Sequence, residues 1–165
     1  VPLFLRQIQA GGPLTLTEPG MTRFVMTMDE AIELVLHAVA RAKPGDIWVR
    51  KAPACTTEHL ARALLELLGK SNPVSVVGIR HGEKRNETLV TEEESARAED
   101  LGTYFRIPRD DRDLYYEIPT VAPAGESAPA PSYHSRMARQ LTIKQIQEKL
   151  LQVPAVRAAV GGGWT

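Results

Sequence analysis

Helical and β-type segments alternate through the first half of the chain, and this alternation constrains the fold more than any other feature. Apolar side chains recur at helical spacing over residues 27–42 and again over 60–68. The stretches 46–49 and 74–77 are short, apolar and β-prone. Strands that alternate with helices predict an α/β layer. The short strands are too few for a complete doubly wound sheet.

The helix ends carry recognisable signals. Thr91 and Glu94 have the spacing of a capping box, and so do Thr142 and Gln145. Gly69 is a natural C-terminal stop for the second helix. The clearest helix, 27–42, has one apolar face, formed by Met28, Ala31, Ile32, Val35, Ala38, Val39 and Ala42. The last helix, interrupted at Pro154, carries a stripe that needs a docking or oligomer partner; the stripe consists of Ile143, Ile146, Leu150 and Leu151.

Composition excludes several classes of function. The 165 residues include 20 basic and 20 acidic side chains, and this balance argues against nucleic acid or an anionic membrane as the main partner. No apolar run is long enough to span a bilayer, and the composition predicts a cytoplasmic protein. Cys55 is the single cysteine, so no internal disulfide forms, and we expect its thiol to be inert. The run at 109–113 interleaves Arg with Asp, which favours a surface salt-bridge cluster or subunit contact over a metal site.

A charged loop follows the strand at 74–77. Arg80 offers planar, permanently charged donors that suit a phosphate, and Glu83 is an acceptor that suits two sugar hydroxyls. Gly82 lets the backbone turn or a ligand approach closely. The alternatives are a solvated loop, or a simple pairing of Arg80 with Glu83. His81 is interpreted as a spacer in this loop.

Several stretches together resemble a known family. They occur in one order with close spacing: residues 1–4, 12–17, 21–24, 29–31, 45–47, 51–53 and 80–84. The chain resembles the C-terminal half of extended short-chain dehydrogenase/reductases, and in particular the UDP-N-acetylglucosamine 4,6-dehydratase/5-epimerases of bacterial capsule and O-antigen synthesis. The resemblance implies an α/β fold with a small mixed sheet and helices, without the glycine-rich Rossmann half. We divide the chain into a nucleotide-sugar-binding region (1–118), a Pro/Ala-rich linker (119–132) and a C-terminal helical extension (133–165).

The same resemblance implies substrate-binding residues but no catalytic or metal-binding ones. Arg23 and Arg80 would contact the pyrophosphate of a UDP-sugar from two sides, and Glu83 would hold the ribose hydroxyls. The strand formed by Leu14, Thr15, Leu16 and Thr17 would offer backbone groups to the uracil edge. A surface Arg whose stem packs on the core is the alternative for Arg23. Where the family has apolar and aromatic residues after Lys84, this chain has Arg85 and Asn86.

The resemblance further implies a cofactor and partners. The intact enzyme would use NADP or NAD, held mainly by an N-terminal Rossmann domain, and would assemble as a homo-oligomer, a hexamer in the family. This chain has no G-x-G-x-x-G after a strand and no Tyr-x-x-x-Lys, so alone it is expected to be inactive and to need no cofactor. Other possibilities are a sugar-nucleotide epimerase of the same superfamily, a stand-alone binding module that pairs with a separate Rossmann subunit, or a remnant that folds poorly.

Overall fold

Short helices and small sheets alternate along the chain in a computed structural model that describes residues 1–109 and 131–162. The elements in chain order are α1 (Pro2–Gln9), β1 (Leu14–Leu16), β2 (Thr22–Phe24), α2 (Met28–Arg41), β3 (Ile47–Arg50), β4 (Ala54–Thr56), α3 (Thr57–Leu68), β5 (Val74–Val76), β6 (Thr88–Val90), α4 (Glu92–Ser95), β7 (Glu99–Asp100), β8 (Tyr104–Ile107), β9 (Tyr133–His134), α5 (Ile143–Leu150) and α6 (Pro154–Val160). The predicted mixed α/β class with small sheets is confirmed.

The chain forms two compact units, and each is assembled from separate stretches of sequence. The first unit contains Val1–Met28, Ala52–Glu87 and the described residues from Ser135 onward. The second contains Asp29–Lys51 and the described part of Thr88–His134. The division predicted from the sequence, with a linker at 119–132, stays a prediction, since most of that linker lies outside the described residues.

Two pairs of strands organise the first unit. β1 and β5 are parallel, with Leu14 opposite Val74 and Leu16 opposite Val76. β2 and β4 are antiparallel, with Arg23 opposite Cys55. One core joins the helices to these strands, and its buried residues are Ile8, Leu14, Leu16, Cys55, Ala61, Ala63, Leu64, Leu141, Ile146, Leu150 and Val156.

The C-terminal helices are part of this core. The Ala54 N–H donates to the carbonyl of Arg139 at 2.9 Å, and the Leu141 N–H donates to the carbonyl of Ala54 at 2.8 Å, so the chain before α5 runs beside β4. α5 then packs on α3, and Ile146 is fully buried. Much of the predicted stripe is therefore covered within the same chain by α3, while Leu151 is 38% exposed. A role of this helix in docking to a further partner stays a prediction.

Local signals explain where most helices begin and end. Thr56 accepts a hydrogen bond from the His59 N–H at 3.0 Å at the start of α3, and Gly69 ends that helix in the left-handed conformation. The capping boxes predicted at α4 and α5 are present. Pro154 lies in the first turn of α6, where a backbone N–H has no acceptor within the helix. The N–H that proline lacks therefore costs no hydrogen bond, and Pro154 begins a new helix as well as interrupting the last one.

The second unit is built on the antiparallel sheet β3–β8–β7, beside the pair β6–β9. Its core contains Val49, Val90 and Ile107, with Phe105 and Tyr133 packed against them. Arg106 donates to both carboxylate oxygens of Asp46, at 2.8 and 3.2 Å, and this hydrogen bonding lowers the pKa of Asp46.

The predicted apolar stripe of α2 is exposed. No residue of α2 is buried, and Met28, Val35 and Val39 are 74%, 59% and 79% exposed. The reason is that α2 contacts its own unit through polar and aromatic side chains. Arg50 pairs with Glu33 at 2.8 Å, and the His37 ring stacks on Tyr104 with centroids 4.1 Å apart. Among the described residues no helix is both long and apolar enough to cross a membrane.

The Cys55 thiol is expected to resist both ionisation and labelling. It is 1% exposed in the core of the first unit, and burial raises its pKa to about 11. Ellman's reagent at pH 8 should therefore react with the unfolded chain and not with the folded one. The unfolded thiol loses its proton near its ordinary pKa of about 8.5, whereas the folded thiol keeps it. The free energy of unfolding should thus fall between about pH 9 and 11, by at most ~1.4 kcal/mol per pH unit from this group.

A Cys55→Ala variant provides the control for the predicted fall in the free energy of unfolding at high pH. Lysine and tyrosine titrations are common to both chains, so the difference between their pH profiles isolates the thiol. Rapid labelling of the folded chain at pH 8, or parallel profiles above pH 9, would contradict the buried, protonated thiol.

Candidate functional site

The C-terminal ends of β1 and β5 meet at one edge of the first unit. Pairing continues one residue beyond the strands, because the Val77 N–H donates to the Leu16 carbonyl at 2.8 Å. Since the strands are parallel, the residues that follow each strand leave the sheet side by side. Thr17 and the loop 78–83 therefore lie together, although they are 60 residues or more apart in the sequence.

The loop 78–83 closes through a tight turn. The Glu83 N–H donates to the Arg80 carbonyl at 3.1 Å, and Gly82 has a φ of 80°. A positive φ at the third position of a four-residue turn favours glycine, so the predicted role of Gly82 in turning the backbone is confirmed. The turn places Arg80 and Glu83 at its two ends.

The Glu83 carboxylate fastens this turn to β1. One oxygen accepts a hydrogen bond from the Arg80 N–H at 3.2 Å, and the other accepts one from the Thr17 hydroxyl at 3.3 Å. A carboxylate has about four acceptor positions, so roughly two remain for a ligand. Glu83 is half-buried, which makes it both oriented and reachable. The contact with Thr17 was not predicted, although the Leu-Thr-Leu-Thr alternation does place both threonines on the face opposite the leucines.

Arg80 is the exposed cation of the loop. Within residues 1–109 and 131–162, its guanidinium has no hydrogen-bond or ion-pair partner, and its contact with Glu83 is made by the backbone N–H. The alternative that Arg80 and Glu83 simply pair through their side chains is therefore not what the structure has. With respect to the described residues, all five guanidinium donors are available to an anion.

The residues of β1 differ in what their side chains and backbone groups contact. Leu14 and Leu16 are 0% and 2% exposed, so their side chains belong to the core. Thr15 is held by Gln7, which donates to its hydroxyl at 2.8 Å and accepts from its N–H at 3.2 Å. The predicted contact between β1 and a uracil edge therefore depends on the remaining backbone groups and on Thr17, and it stays a prediction.

The Arg23 guanidinium faces the residues that follow Glu83. Its two terminal nitrogens donate to four acceptors: the carbonyls of Thr22 (2.8 Å), Arg85 (3.3 Å) and Lys84 (3.0 Å), and the Met21 sulfur (3.4 Å). Nε lies 3.4 Å from a carboxylate oxygen of Glu87. Arg23 thus adjoins the residues that follow the loop, and its donors point to protein acceptors. The predicted pyrophosphate contact is not tested by these distances.

A buried polar cluster supports the far end of the loop. Thr22 and Ser135 are 5% and 0% exposed, and their hydroxyl oxygens lie 2.6 Å apart. Thr22 also donates to the Asn86 side chain at 2.9 Å, and Ser135 accepts from the Glu87 N–H at 2.9 Å. The sequence gives no sign of this cluster, because Ser135 is 113 residues from Thr22.

The described residues do not fit a dinucleotide cofactor. A dinucleotide-binding turn joins a strand to a helix through glycines that let the backbone approach the pyrophosphate. No described strand reaches a following helix through a glycine: β2, β4, β6 and β9 all lead to helices without one. The described residues also contain no group of three or more acidic, His or Cys side chains placed to hold a metal. Most of the predicted 109–113 salt-bridge run lies outside the described residues.

This chain is similar to one protein family, to several curated proteins and to a solved structure. Residues 1–109 match the family described as polysaccharide biosynthesis protein. The chain is 45% identical to a UDP-glucose 4-epimerase of Rickettsia prowazekii and 43% identical to one of Rickettsia bellii, in each case over 95% of this chain and 46% of the relative. It also resembles the structure of Pen from Bacillus thuringiensis, with a TM-score of 0.72 and 29% identity over 91% of this chain and 43% of that one. The chain thus spans about half the length of the curated relatives that it matches.

Proposed function

The chain belongs to the family of polysaccharide biosynthesis proteins, and we propose that it is the part of a UDP-sugar enzyme that binds the nucleoside diphosphate of the substrate. Its relatives support the extended short-chain dehydrogenase/reductase superfamily as the wider class. The chain aligns with about half of a relative, so the complete activity is inferred for a longer assembly that includes this chain.

One observation carries the proposal: an oriented carboxylate and an arginine whose guanidinium has no partner among the described residues end the same turn, at the edge of a parallel strand pair. Arg80 has five donors for a diphosphate, and Glu83 keeps acceptor positions for a vicinal diol. In open α/β sheets, ligands bind beyond the carboxyl ends of parallel strands, which is where this turn lies. We place Leu14–Leu16 and Thr17 beside the uracil, with Arg80 on the diphosphate and Glu83 on the ribose. A direct contact from Arg23 would require it to release protein acceptors.

The reaction of the complete assembly is proposed more specifically. The matched Rickettsia proteins are named UDP-glucose 4-epimerases, and we infer an NAD(P)-dependent epimerase or 4,6-dehydratase/5-epimerase that acts on a UDP-sugar such as UDP-N-acetylglucosamine. The nicotinamide supplies hydride transfer when it is bound, and a glycine-fingerprint domain outside the described residues would hold it. Incubated alone with UDP-N-acetylglucosamine or UDP-glucose and either nicotinamide, the chain should form no product. Product peaks in the NMR spectrum would overturn that expectation.

The binding roles of Arg80 and Glu83 can be separated with three ligands. Arg80→Ala should weaken UDP about 10- to 100-fold, as expected for lost hydrogen bonds to a charged group, and should leave uridine unchanged. Glu83→Gln should abolish the preference for UDP over 2′-deoxy-UDP, which we expect to be about tenfold in the native chain. Calorimetric titration of UDP and NMR titration of uridine provide the measurements.

Arg62→Ala is the matched control, because Arg62 is an exposed arginine of α3 that pairs with Glu66. It should leave all three affinities unchanged. UDP affinity that survives Arg80→Ala would remove Arg80 from the site, and a retained preference for UDP in Glu83→Gln would remove Glu83 from the ribose. Failure of the native chain to bind UDP at millimolar concentration would overturn the proposed function.

The exposed stripe of α2 favours a second candidate, a module that works by pairing with a separate catalytic subunit. Large exposed apolar patches commonly mark surfaces that meet another protein. A tight one-to-one complex with a glycine-fingerprint subunit, seen by light scattering, would support this candidate. Independent elution of the two proteins at micromolar concentration would count against it.

A further inference from the structure

We propose that His37 is a pH-sensitive latch, whose neutral imidazole holds the C-terminal half of α2 on the sheet β3–β8–β7 and whose protonation releases it. All the contacts that carry this inference lie within the second unit. The inference is independent of the proposed function, because it concerns how α2 is attached to its sheet and not what the first unit binds.

His37 lies on the side of α2 that faces this sheet. Its ring stacks on Tyr104 of β8, with the centroids 4.1 Å and the planes 20° apart, and it meets the Trp48 ring of β3 edge-on at 4.8 Å. The His37 side chain is half-buried by these contacts. Since no residue of α2 is fully buried, the helix depends on such contacts for its attachment.

One hydrogen bond fixes the protonation state of the ring. A terminal nitrogen of Arg41, one helical turn later, lies 2.7 Å from Nδ1 of His37. A guanidinium has donors only, so Nδ1 is the acceptor and carries no proton, and the proton of the neutral ring is on Nε2. Protonation of Nδ1 would set one N–H against another and place a second positive charge beside Arg41. The attached arrangement therefore fits the neutral imidazole and not the imidazolium.

The acidic groups near the ring are engaged with other cations. Glu33, one turn before His37, pairs with Arg50 of β3 at 2.8 Å, and Glu30 lies 3.7 Å from the same guanidinium. Arg50 also lies over the aromatic ring on which His37 stacks. Other charged groups near this sheet pair with one another: Arg106 of β8, Asp46 and Glu99. Burial first, and then the charge of Arg41, lower the pKa of His37.

The direction of the pH effect follows from this lowered pKa. In a released and solvated helix the imidazole has its ordinary pKa of about 6.5, whereas in the attached helix its pKa is lower. The attachment is therefore at full strength above about pH 6.5, weakens as the pH falls, and levels off below the lowered pKa. The fold loss in the attachment equilibrium equals ten raised to the difference between the two pKa values.

Hydrogen exchange and a histidine titration test the latch together. In the native chain, NMR should show the His37 ring titrating below about pH 6.5. Between about pH 7.5 and 5, the amides of residues 36–41 should lose protection by the fold that this pKa predicts, because a released helix of 14 residues frays in water. Protection factors divide out the intrinsic pH dependence of exchange. The amides of β3 and β8 should keep their protection.

Two variants identify the group and its partner. His37→Phe keeps an aromatic ring beside Tyr104 but cannot titrate, so protection over residues 36–41 should be equal at both ends of this pH range. Arg41→Met removes the donor and the charge but keeps a long side chain. It should raise the pKa of His37 and reduce the fold loss to match. Arg62→Met is the control, because Arg62 makes a contact of the same spacing with Glu66 on α3, and it should change neither quantity.

Several results would overturn the latch. A His37 pKa at or above 6.5 in the native chain would do so, and so would unchanged protection over residues 36–41 while the ring titrates. The same pH dependence in His37→Phe would assign the effect to another group. Equal losses of protection in α2, β3 and β8 would mean that the whole unit opens and not α2 alone. If His37→Phe does not fold, Arg41→Met carries the comparison, since native chain and variant must each show the loss that its own His37 pKa predicts.

Discussion

Replacing Ile146 by alanine should lower the free energy of unfolding of the first unit by about 2–5 kcal/mol, the usual range when a large core residue is truncated. Ile146 is 0% exposed and lies in the cluster that joins α5 to α3. The surroundings cannot fully close around the lost atoms, so the loss of dispersion contacts adds to the lost burial. An effect of this size would make the C-terminal segment a structural part of the unit that carries the candidate site.

Cys55 provides the probe for this experiment. It is the single cysteine and is buried in the same core, so its labelling rate in increasing denaturant reports the opening of the first unit in particular. Leu151→Ala is the matched control, because Leu151 ends the same helix but is 38% exposed. If Cys55 were labelled no faster in Ile146→Ala than in Leu151→Ala at the same denaturant concentration, α5 would not belong to the cooperative unit.

Replacing Ser135 by alanine should lower the free energy of unfolding by about 1–3 kcal/mol, the usual range for a buried polar group left without its partner. The Ser135 hydroxyl accepts from the Glu87 N–H at 2.9 Å and donates to the Thr22 carbonyl at 3.1 Å. Without it the partly buried Glu87 N–H loses its acceptor. The loss should also appear as faster exchange of the Glu87 amide.

A double-mutant cycle tests whether the cluster acts as a unit. Thr22→Val and Ser135→Ala remove the two hydroxyls that lie 2.6 Å apart. Together they should cost less than the sum of the two single changes, because either single change already removes the contact between the two hydroxyls. Ser71→Ala, at an exposed serine of the same unit, should change the free energy of unfolding by less than about 0.5 kcal/mol. Strict additivity would mean that the hydroxyls contribute independently.

Helices were predictable here because their signals are local. Gly69 and the capping boxes at Thr91 and Thr142 act within one turn, and each lies where the sequence placed it. The strands β6 to β9 were not predicted. They are two to four residues long, and pairing partners elsewhere in the chain define them, so no pattern within such a short segment distinguishes them from loop.

Periodicity predicted α2 correctly as a helix but said nothing about what covers its stripe. The same spacing of apolar residues that is buried against α3 in α5 remains exposed in α2. The difference comes from Glu30, Glu33 and His37, whose contacts with β3 and β8 turn the polar side of α2 toward its own unit. Sequence spacing describes a face, and only the neighbouring elements decide whether it is covered.

The candidate site was predictable in its members but not in its contacts. Residue chemistry and family resemblance selected Thr17, Arg80 and Glu83, and the parallel pairing of β1 with β5 brings them together. Neither source indicated that the Arg23 donors would be occupied, because their acceptors are backbone carbonyls, which every residue carries. The dependence of the loop on Ser135 could not be predicted either, since Ser135 is 113 residues from Thr22 and 48 residues from Glu87.

The interrupted order of the first unit has a consequence for synthesis. Chains emerge from the N-terminus, and domains close as their residues become available. Both stretches of the second unit, through His134, are made before Ser135 and α5 exist. The first unit therefore begins earliest and is completed last. Until then α3 lacks its cover and the Glu87 N–H lacks its acceptor, so the candidate site is among the last features of the chain to become fixed.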